Sequence, residues 1–405
     1  MKKKLISFIR RNPTYDFFSF ENLQPVEKLF VLTISNNKNK NFKLLLHLYK
    51  LIGDKKFQEF TLKEVCSSMV YGSLSKAFGS KKLASFWEKE ASKVKSRIDL
   101  YLLELDKIAN KLSEFDIPVI GLKNTGIARG IHDNSAECPM GDIDLLVPQE
   151  RFKEAHDVFL KMGYVFDDRS PFQIKNFEDA YANGGTEYKC KLIDGSTLWI
   201  ELQWKAVSGR RILLEQELNV NDLVERSISI KDSKVRLLCP EDNLLQVCLH
   251  TAKHSFVRAP GFRLHTDVER IVRAYQIDWE TFCCNVEKMN VRNPVFISLF
   301  IPAKLFNLNV PDYVLKRLNH TPIKNYFLLK WIKKVGLFSP NKRKWSKVGY
   351  IIFNVLLYDN FRDLLKVIFP TQKLLMSQYK YKKSNLFKTY IERIFSLLFK
   401  RGNNT

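Results

Sequence analysis

Apolar residues recur at spacings of three and four at Val94, Ile98, Leu102, Leu105, Ile108 and Leu112. That is the rhythm of one buried helical stripe, and it predicts a helix ending near Phe115. Beyond it the period changes. Pro118-Val119-Ile120-Gly121-Leu122 reads as a buried strand, and Lys123-Asn124-Thr125-Gly126 as a turn into a short helix, Ile127 to Ile131. Gly141 then leads into a strand that places Asp142 and Asp144 on one face and Ile143, Leu145 and Val147 on the other. Glu150 to Leu160 predicts a helix stopped by Gly163. Tyr188, Cys190 and Leu192 alternate with Lys189 and Lys191, Asp194-Gly195 turns the chain, and Leu198, Ile200, Leu202 and Trp204 alternate with Trp199, Glu201 and Gln203. This is an antiparallel hairpin with Glu201 mid-strand, opposite the apolar series. On either side the chain reads as helical: the first hundred residues, a helix opened by Pro240-Glu241-Asp242, and another capped by Asp278 before Trp279.

Composition narrows the class. The chain has 405 residues, 45% of them hydrophobic and 13% aromatic, enough to bury sizeable cores and unlike a disordered protein. Four segments are expected: an N-terminal helical region (1–115), an α/β core (116–235), a helical domain (236–310) and a basic, aromatic helical tail (311–405). Charge sets the tail apart, since Lys316 to Thr405 carries twenty Lys and Arg against three acids, +17 of the net +23. The seven cysteines show no Cys-x-x-Cys pair and no zinc-like spacing, which points to a reducing cytoplasm. Met1-Lys2-Lys3-Lys4 begins like a signal peptide, but Arg10 and Arg11 break the apolar run after it. The longest apolar run, Tyr350 to Tyr358, is interrupted by Asn354 and too short to span a bilayer.

The chemistry centres on Asp142 and Asp144. Two carboxylates on one strand face seat a hard cation such as Mg²⁺, which takes oxygen ligands and usually completes its shell with substrate phosphates. If the strand of Glu201 lies beside theirs, three carboxylates converge, and a cation must offset their repulsion. Lys123 at a strand end, before small residues opening a helix, suits phosphate. Plainer readings stand beside these: a strand-to-helix turn with a solvated lysine, and a solvent-facing Glu201. His250 and His254 sit at i and i+4, a metal-ligand spacing, but the Glu of a zincin helix is missing and packing within a helical bundle explains the pair as well. Asp267 in the next helix is a partner for one of them.

The succession Gly121-Leu122-Lys123, Gly141-Asp142-Ile143-Asp144-Leu145-Leu146-Val147, Ile200-Glu201-Leu202-Gln203-Trp204 and Leu249-His250-Thr251-Ala252-Lys253-His254 resembles the uncharacterised bacterial nucleotidyltransferase family of the polymerase-β-like superfamily. The resemblance extends through Asp267 and Ile277-Asp278-Trp279-Glu280, covering roughly residues 90 to 290, and more loosely to Phe369-Pro370. It implies an α+β fold: a small mixed sheet of nucleotidyltransferase type flanked by an N-terminal helical region and a C-terminal helical domain. It further implies that Asp142, Asp144 and Glu201 hold Mg²⁺, that Glu201 helps activate an acceptor hydroxyl, and that Lys123, Asn124, Thr125, Gly126 and Gly141 bind the nucleotide. By the same resemblance the helical domain caps the nucleotide site, which makes His250, His254 and Asp267 further candidates for substrate contact. Two positions depart from the family pattern. Asn124 stands where relatives read Gly, though asparagine tolerates left-handed backbone angles, and Cys138 stands where they often carry Arg.

The expected activity is Mg²⁺-dependent transfer of a nucleoside monophosphate from an NTP to an acceptor hydroxyl on a sugar, a small molecule, an RNA or a protein. Two alternatives remain: a catalytically degenerate nucleotide-binding protein acting through its tail, and a glycosyltransferase using Asp-x-Asp, which requires several βα units before the aspartates. The tail itself, with Trp331, Lys333, Lys334, Lys342-Arg343-Lys344-Trp345 and Tyr379-Lys380-Tyr381-Lys382-Lys383, fits an anionic membrane surface, a nucleic acid, or a helical extension with a solvated basic face.

Overall fold

Asp194-Gly195 forms the expected tight turn, with Gly195 in the left-handed region at φ 79° and the Leu192 N–H donating to Ser196 O at 2.9 Å. It joins β4 (Gly185–Lys191) to β5 (Thr197–Gln203). The computed structural model describes residues 16–167, 176–207, 213, 216–340, 344–370 and 390–391. These contain 17 α-helices and one seven-stranded mixed sheet, an α+β protein. The chain divides into two compact units, a sheet unit (84–208 and 217–246) and a helical unit (1–83, 209–216 and 247–405).

In the sheet unit, β1 is Val119–Gly121, β2 Asp142–Leu146, β3 Val165–Phe166, β6 Ile228–Ser229 and β7 Val235–Leu237. The strand order is β3-β4-β5-β2-β1-β7-β6. β2 runs parallel to β5 and β1 parallel to β7, while the other neighbours are antiparallel. The helix announced by the first stripe, α5, runs Ser85–Ser113 and belongs to this unit, burying Ile98, Leu105, Ile108 and Leu112 together with Trp87 and Tyr101. Val94 and Leu102 lie only half-buried beside the stripe. Ile143 and Leu145 on β2, Val147 just after it, and Ile200 and Leu202 on β5 are fully buried, as the alternation requires. Among the described residues, β1 is the only strand before the aspartates, so the run of βα units that a glycosyltransferase reading needs is not there.

One local expectation is corrected. The helix after β1, α6, spans Lys123–Gly130 and so starts four residues earlier than the apolar pattern implies. Glycine is the reason. Gly121 and Gly126 lie so close that a Cβ on Gly126 would stand 2.4 Å from Gly121 O. Helix and strand meet without side chains between them, and the first turn winds immediately.

In the helical unit, α1 to α4 are Pro25–Ile34, Phe42–Ile52, Asp54–Lys63 and Ser67–Phe78. α10 (Pro240–Lys253) begins in the sheet unit and ends here, followed by α11 (Arg263–Ala274), α12 (Trp279–Lys288) and α13 (Arg292–Phe306). α13 is buried along almost its whole length. Asp278 caps α12 by accepting from the Glu280 and Thr281 N–H groups. Glu269 ties the N-terminal helices in: it accepts from Ser35 Oγ at 2.5 Å and from Arg273 Nε at 2.8 Å. α14 (Asp312–Leu318), α15 (Pro322–Val335), α16 (Lys347–Leu356) and α17 (Phe361–Ile368) carry the described part of the tail. Some of its aromatics turn inward: Trp331, Trp345 and Phe353 form one cluster of ring contacts, with Trp345 and Phe353 buried, whereas Tyr313, Phe327, Phe361 and Phe369 stay exposed. Lys333 and Lys334 stay exposed. Lys342, Arg343 and Tyr379 to Lys383 lie outside the described residues. No described helix is long and apolar enough to cross a membrane.

Candidate active site

Parallel pairing of β2 with β5 sets Asp142 against Trp199, Asp144 against Glu201 and Leu146 against Gln203. Register partners point to the same side of a sheet, so Asp142, Asp144 and Glu201 share one face. The condition posed by the sequence, that the two strands be neighbours, is met. β4 adds a residue that the alternation missed, because Glu187 is the register partner of Glu201 on its other side. The expected strand begins at Tyr188, three positions after the start of β4 at Gly185, and so leaves Glu187 out. Counting back from the Asp194-Gly195 turn would have found Glu187, since hairpin register follows from the turn.

Among these acids stands a lysine. Lys123 Nζ donates to Asp144 Oδ1 at 2.5 Å and to Glu201 Oε2 at 3.2 Å, with little of any of the three side chains in solvent. Its backbone is left-handed, φ 53°, a conformation uncommon for residues other than glycine and asparagine. The left-handed residue of the turn is therefore Lys123 and not Asn124, which corrects the expectation. Burial disfavours the Lys123 ammonium, but the pull of Asp144 and then of Glu201 outweighs it and holds the amine above its ordinary range. Asp144 is pushed well up from the usual carboxylate value, first by burial and then by Glu201 and Asp142, with Lys123 opposing. One ammonium does not balance this many carboxylates, and the excess negative charge calls for a further proton or a cation.

The phosphate-loop residues fall differently from expectation. Thr125 is fully buried and its Oγ1 accepts the Asp144 N–H at 2.9 Å, so its hydroxyl braces the strand behind the aspartate. The N–H groups of Thr125 and Gly126 both close on Leu122 O, at 3.0 and 3.3 Å, within the first helical turn. They are spent on the helix and are not a phosphate cradle. Gly126 serves the contact with Gly121 described above. Asn124 keeps a buried Oδ1 with no partner in the protein. Gly141 is exposed, and a Cβ there would meet nothing within 4 Å, so the protein's own packing does not require glycine at that point. Cys138, just before it, is fully buried.

His250, His254 and Asp267 belong to the helical unit. α10 ends at Lys253, and the two imidazoles meet edge to face with centroids 4.9 Å apart. Asp267 is paired with Arg270 at 3.8 Å and with neither histidine. Burial pushes its pKa up to about 6, against the pull of Arg270 and Arg263.

Among the described residues no group of three or more His, Cys, Asp or Glu side chains is arranged to hold a metal ion as it stands. A preassembled three-carboxylate seat is thus not found; the Lys123 ammonium lies between Asp144 and Glu201 instead. The donor set still fits Mg²⁺, an oxygen-seeking ion commonly held by one or two carboxylates plus substrate phosphates without an all-protein cage.

With this geometry in hand, the sequence profile of an uncharacterised nucleotidyltransferase family matches residues 63–307, more than half of the chain. The chain belongs to that family. Among the described residues, the matched span takes in all seven strands, including β2, β4 and β5, which carry the carboxylates. Neither a curated protein nor a solved structure matches the chain.

Proposed function

We propose that this nucleotidyltransferase moves a nucleoside monophosphate from an NTP to an acceptor hydroxyl and releases pyrophosphate, in the manner of the polymerase-β-like superfamily. The observation that carries the reading is the pairing of Asp144 with Glu201 across parallel strands, with Asp142 on the same face. Asp142, Asp144 and Glu201 are the residues that would hold Mg²⁺, which when bound neutralises phosphate charge and polarises the reacting oxygens. Glu201, the more exposed of the ion-paired acids, accepts the proton of the incoming hydroxyl. Lys123, already ion-paired in this face, supplies positive charge to the triphosphate. The exposed Gly141 leaves room for a nucleotide to approach the backbone at the start of β2. Thr125 fixes the Asp144 backbone and thereby the direction of its carboxylate.

The acceptor class is a sugar, small-molecule, RNA or protein hydroxyl, and a fractionated extract is the means to identify it. The full chain incubated with each labelled NTP, Mg²⁺ and extract is expected to release pyrophosphate, and Asp144→Asn to release none. If wild type and variant are equally silent across extracts while nucleotide still binds, the protein is a non-catalytic nucleotide binder.

A further inference from the structure

The Lys123 ammonium occupies the ground between two of the carboxylates that the proposed function assigns to Mg²⁺. Its Nζ stands 2.5 Å from Asp144 and 3.2 Å from Glu201, with 13% of the side chain exposed. Asp144 itself is almost fully buried, so whichever cation it meets is held in a poorly solvated place where pairing is strong and crowding by a second cation is costly. The backbone conveys the same constraint. Lysine at φ 53° is in a disfavoured conformation, of the kind found where surrounding contacts over-determine it and often at sites of function.

We infer that Lys123 is a resident counter-ion that exchanges with the divalent metal, holding Asp144 and Glu201 together in the metal-free protein and yielding them when metal and nucleotide arrive. This rests on the proposed function, because it takes the metal seat from that reading and adds how the seat is regulated. The charge requirement makes the exchange one of partners: the ammonium that leaves the carboxylates needs an anion, and the triphosphate is the anion the reaction brings. Metal alone has to evict Lys123 without offering it a new partner and binds weakly. Metal and NTP together satisfy every charge and bind with positive coupling. Asn124, adjacent in the chain with its buried and unpartnered Oδ1, is an acceptor within this same turn. The lysine is thus a positioning residue that reserves the site for metal delivered with substrate.

The test measures binding, not turnover. Mn²⁺ is titrated into the full chain, without nucleotide, by the loss of its free paramagnetic resonance signal, for wild type, Lys123→Met and Asp144→Asn. Lys123→Met is expected to bind Mn²⁺ about tenfold tighter than wild type, within the usual span of site-to-site coupling, and Asp144→Asn to lose binding. In wild type, a non-hydrolysable NTP analogue is expected to tighten Mn²⁺ binding more than it does in Lys123→Met. Equal Mn²⁺ affinity in wild type and Lys123→Met overturns the exchange and leaves the metal seat standing. No binding to any of the three overturns both. Should Lys123→Met fail to fold, reductive methylation of wild type replaces it: labelling of Lys123, read by peptide mass, is expected to rise when saturating Mg²⁺ is added. Unchanged labelling refutes the exchange.

Discussion

Asp144 and Glu201 lie 57 positions apart in the chain yet are direct register partners on parallel strands, and one lysine bonds to both. The consequences for catalysis are unequal. Asp144 is the buried member, and its loss removes one of the proposed metal ligands and one of Lys123's two ion-pair partners at once. Asp144→Asn is expected to abolish pyrophosphate release in the NTP assay. Glu201→Gln keeps the aspartate pair but removes a proposed metal ligand and the positioned base, and is expected to turn over at least about a hundredfold more slowly, the usual scale for removing such a base. Glu187 stands beside Glu201 without touching the aspartates in register, so Glu187→Gln should weaken Mg²⁺ affinity by about tenfold, as second-layer partners of metal sites do.

The glycines separate packing from binding. Gly126→Ala sets a methyl against Gly121 O where no side chain fits, and overpacking of this kind costs about 1–3 kcal/mol. A lowered thermal midpoint is the expected reading. Gly141→Ala meets nothing, so its midpoint should stay at the wild-type value, while NTP affinity falls if the nucleotide approaches the β2 backbone there. A drop in midpoint for Gly141→Ala would contradict the open geometry at that position.

Thr125 was expected at the phosphates and is found behind the strand instead. Thr125→Val conserves shape but leaves the Asp144 N–H without its acceptor, at a cost of about 1–3 kcal/mol for a buried donor. Denaturant titration checks the cost. Thr125→Ser, which keeps the oxygen, is expected to recover most of it.

In the helical unit, Glu64 carries a pH dependence of definite sign. Burial lifts its carboxyl from 4.5 to about 7, with the Ser339 N–H and Lys344 pulling the other way. Because the folded pKa is the higher one, the stability the protonated acid contributes is complete below about pH 4.5 and is lost as pH rises through about 7. Glu64→Gln mimics the protonated form at every pH. The variant is therefore expected to match wild type near pH 4.5 and to exceed it above pH 7 by on the order of 3 kcal/mol, seen as a widening gap between their denaturation midpoints.

The tail offers a final contrast. Trp345 packs on Trp331 and Phe353 inside the helical unit, so Trp345→Ala is expected to destabilise by about 3–5 kcal/mol, as loss of a buried aromatic does. Replacing the exposed Lys333 and Lys334 with Gln should leave the midpoint unchanged. If Trp345→Ala leaves stability intact but weakens retention on RNA or on anionic vesicles, the tryptophan is a surface contact after all.

The sequence alone determined whatever depends on neighbours in the chain. Alternation put Asp142 and Asp144 on one face, the Asp-Gly turn closed the β4–β5 hairpin, and the three-four spacing announced α5, because strand and helix periods are local properties of the backbone. Tertiary structure decided the rest. That β5 lies beside β2, which gathers Glu201 and Glu187 to the aspartates, is a choice among non-local pairings that no period encodes. That Lys123 turns into the acids, and that Trp345 turns into a core, followed from charges and apolar surfaces brought together only when distant segments packed, since a lysine or a tryptophan by itself is compatible with either solvent or interior.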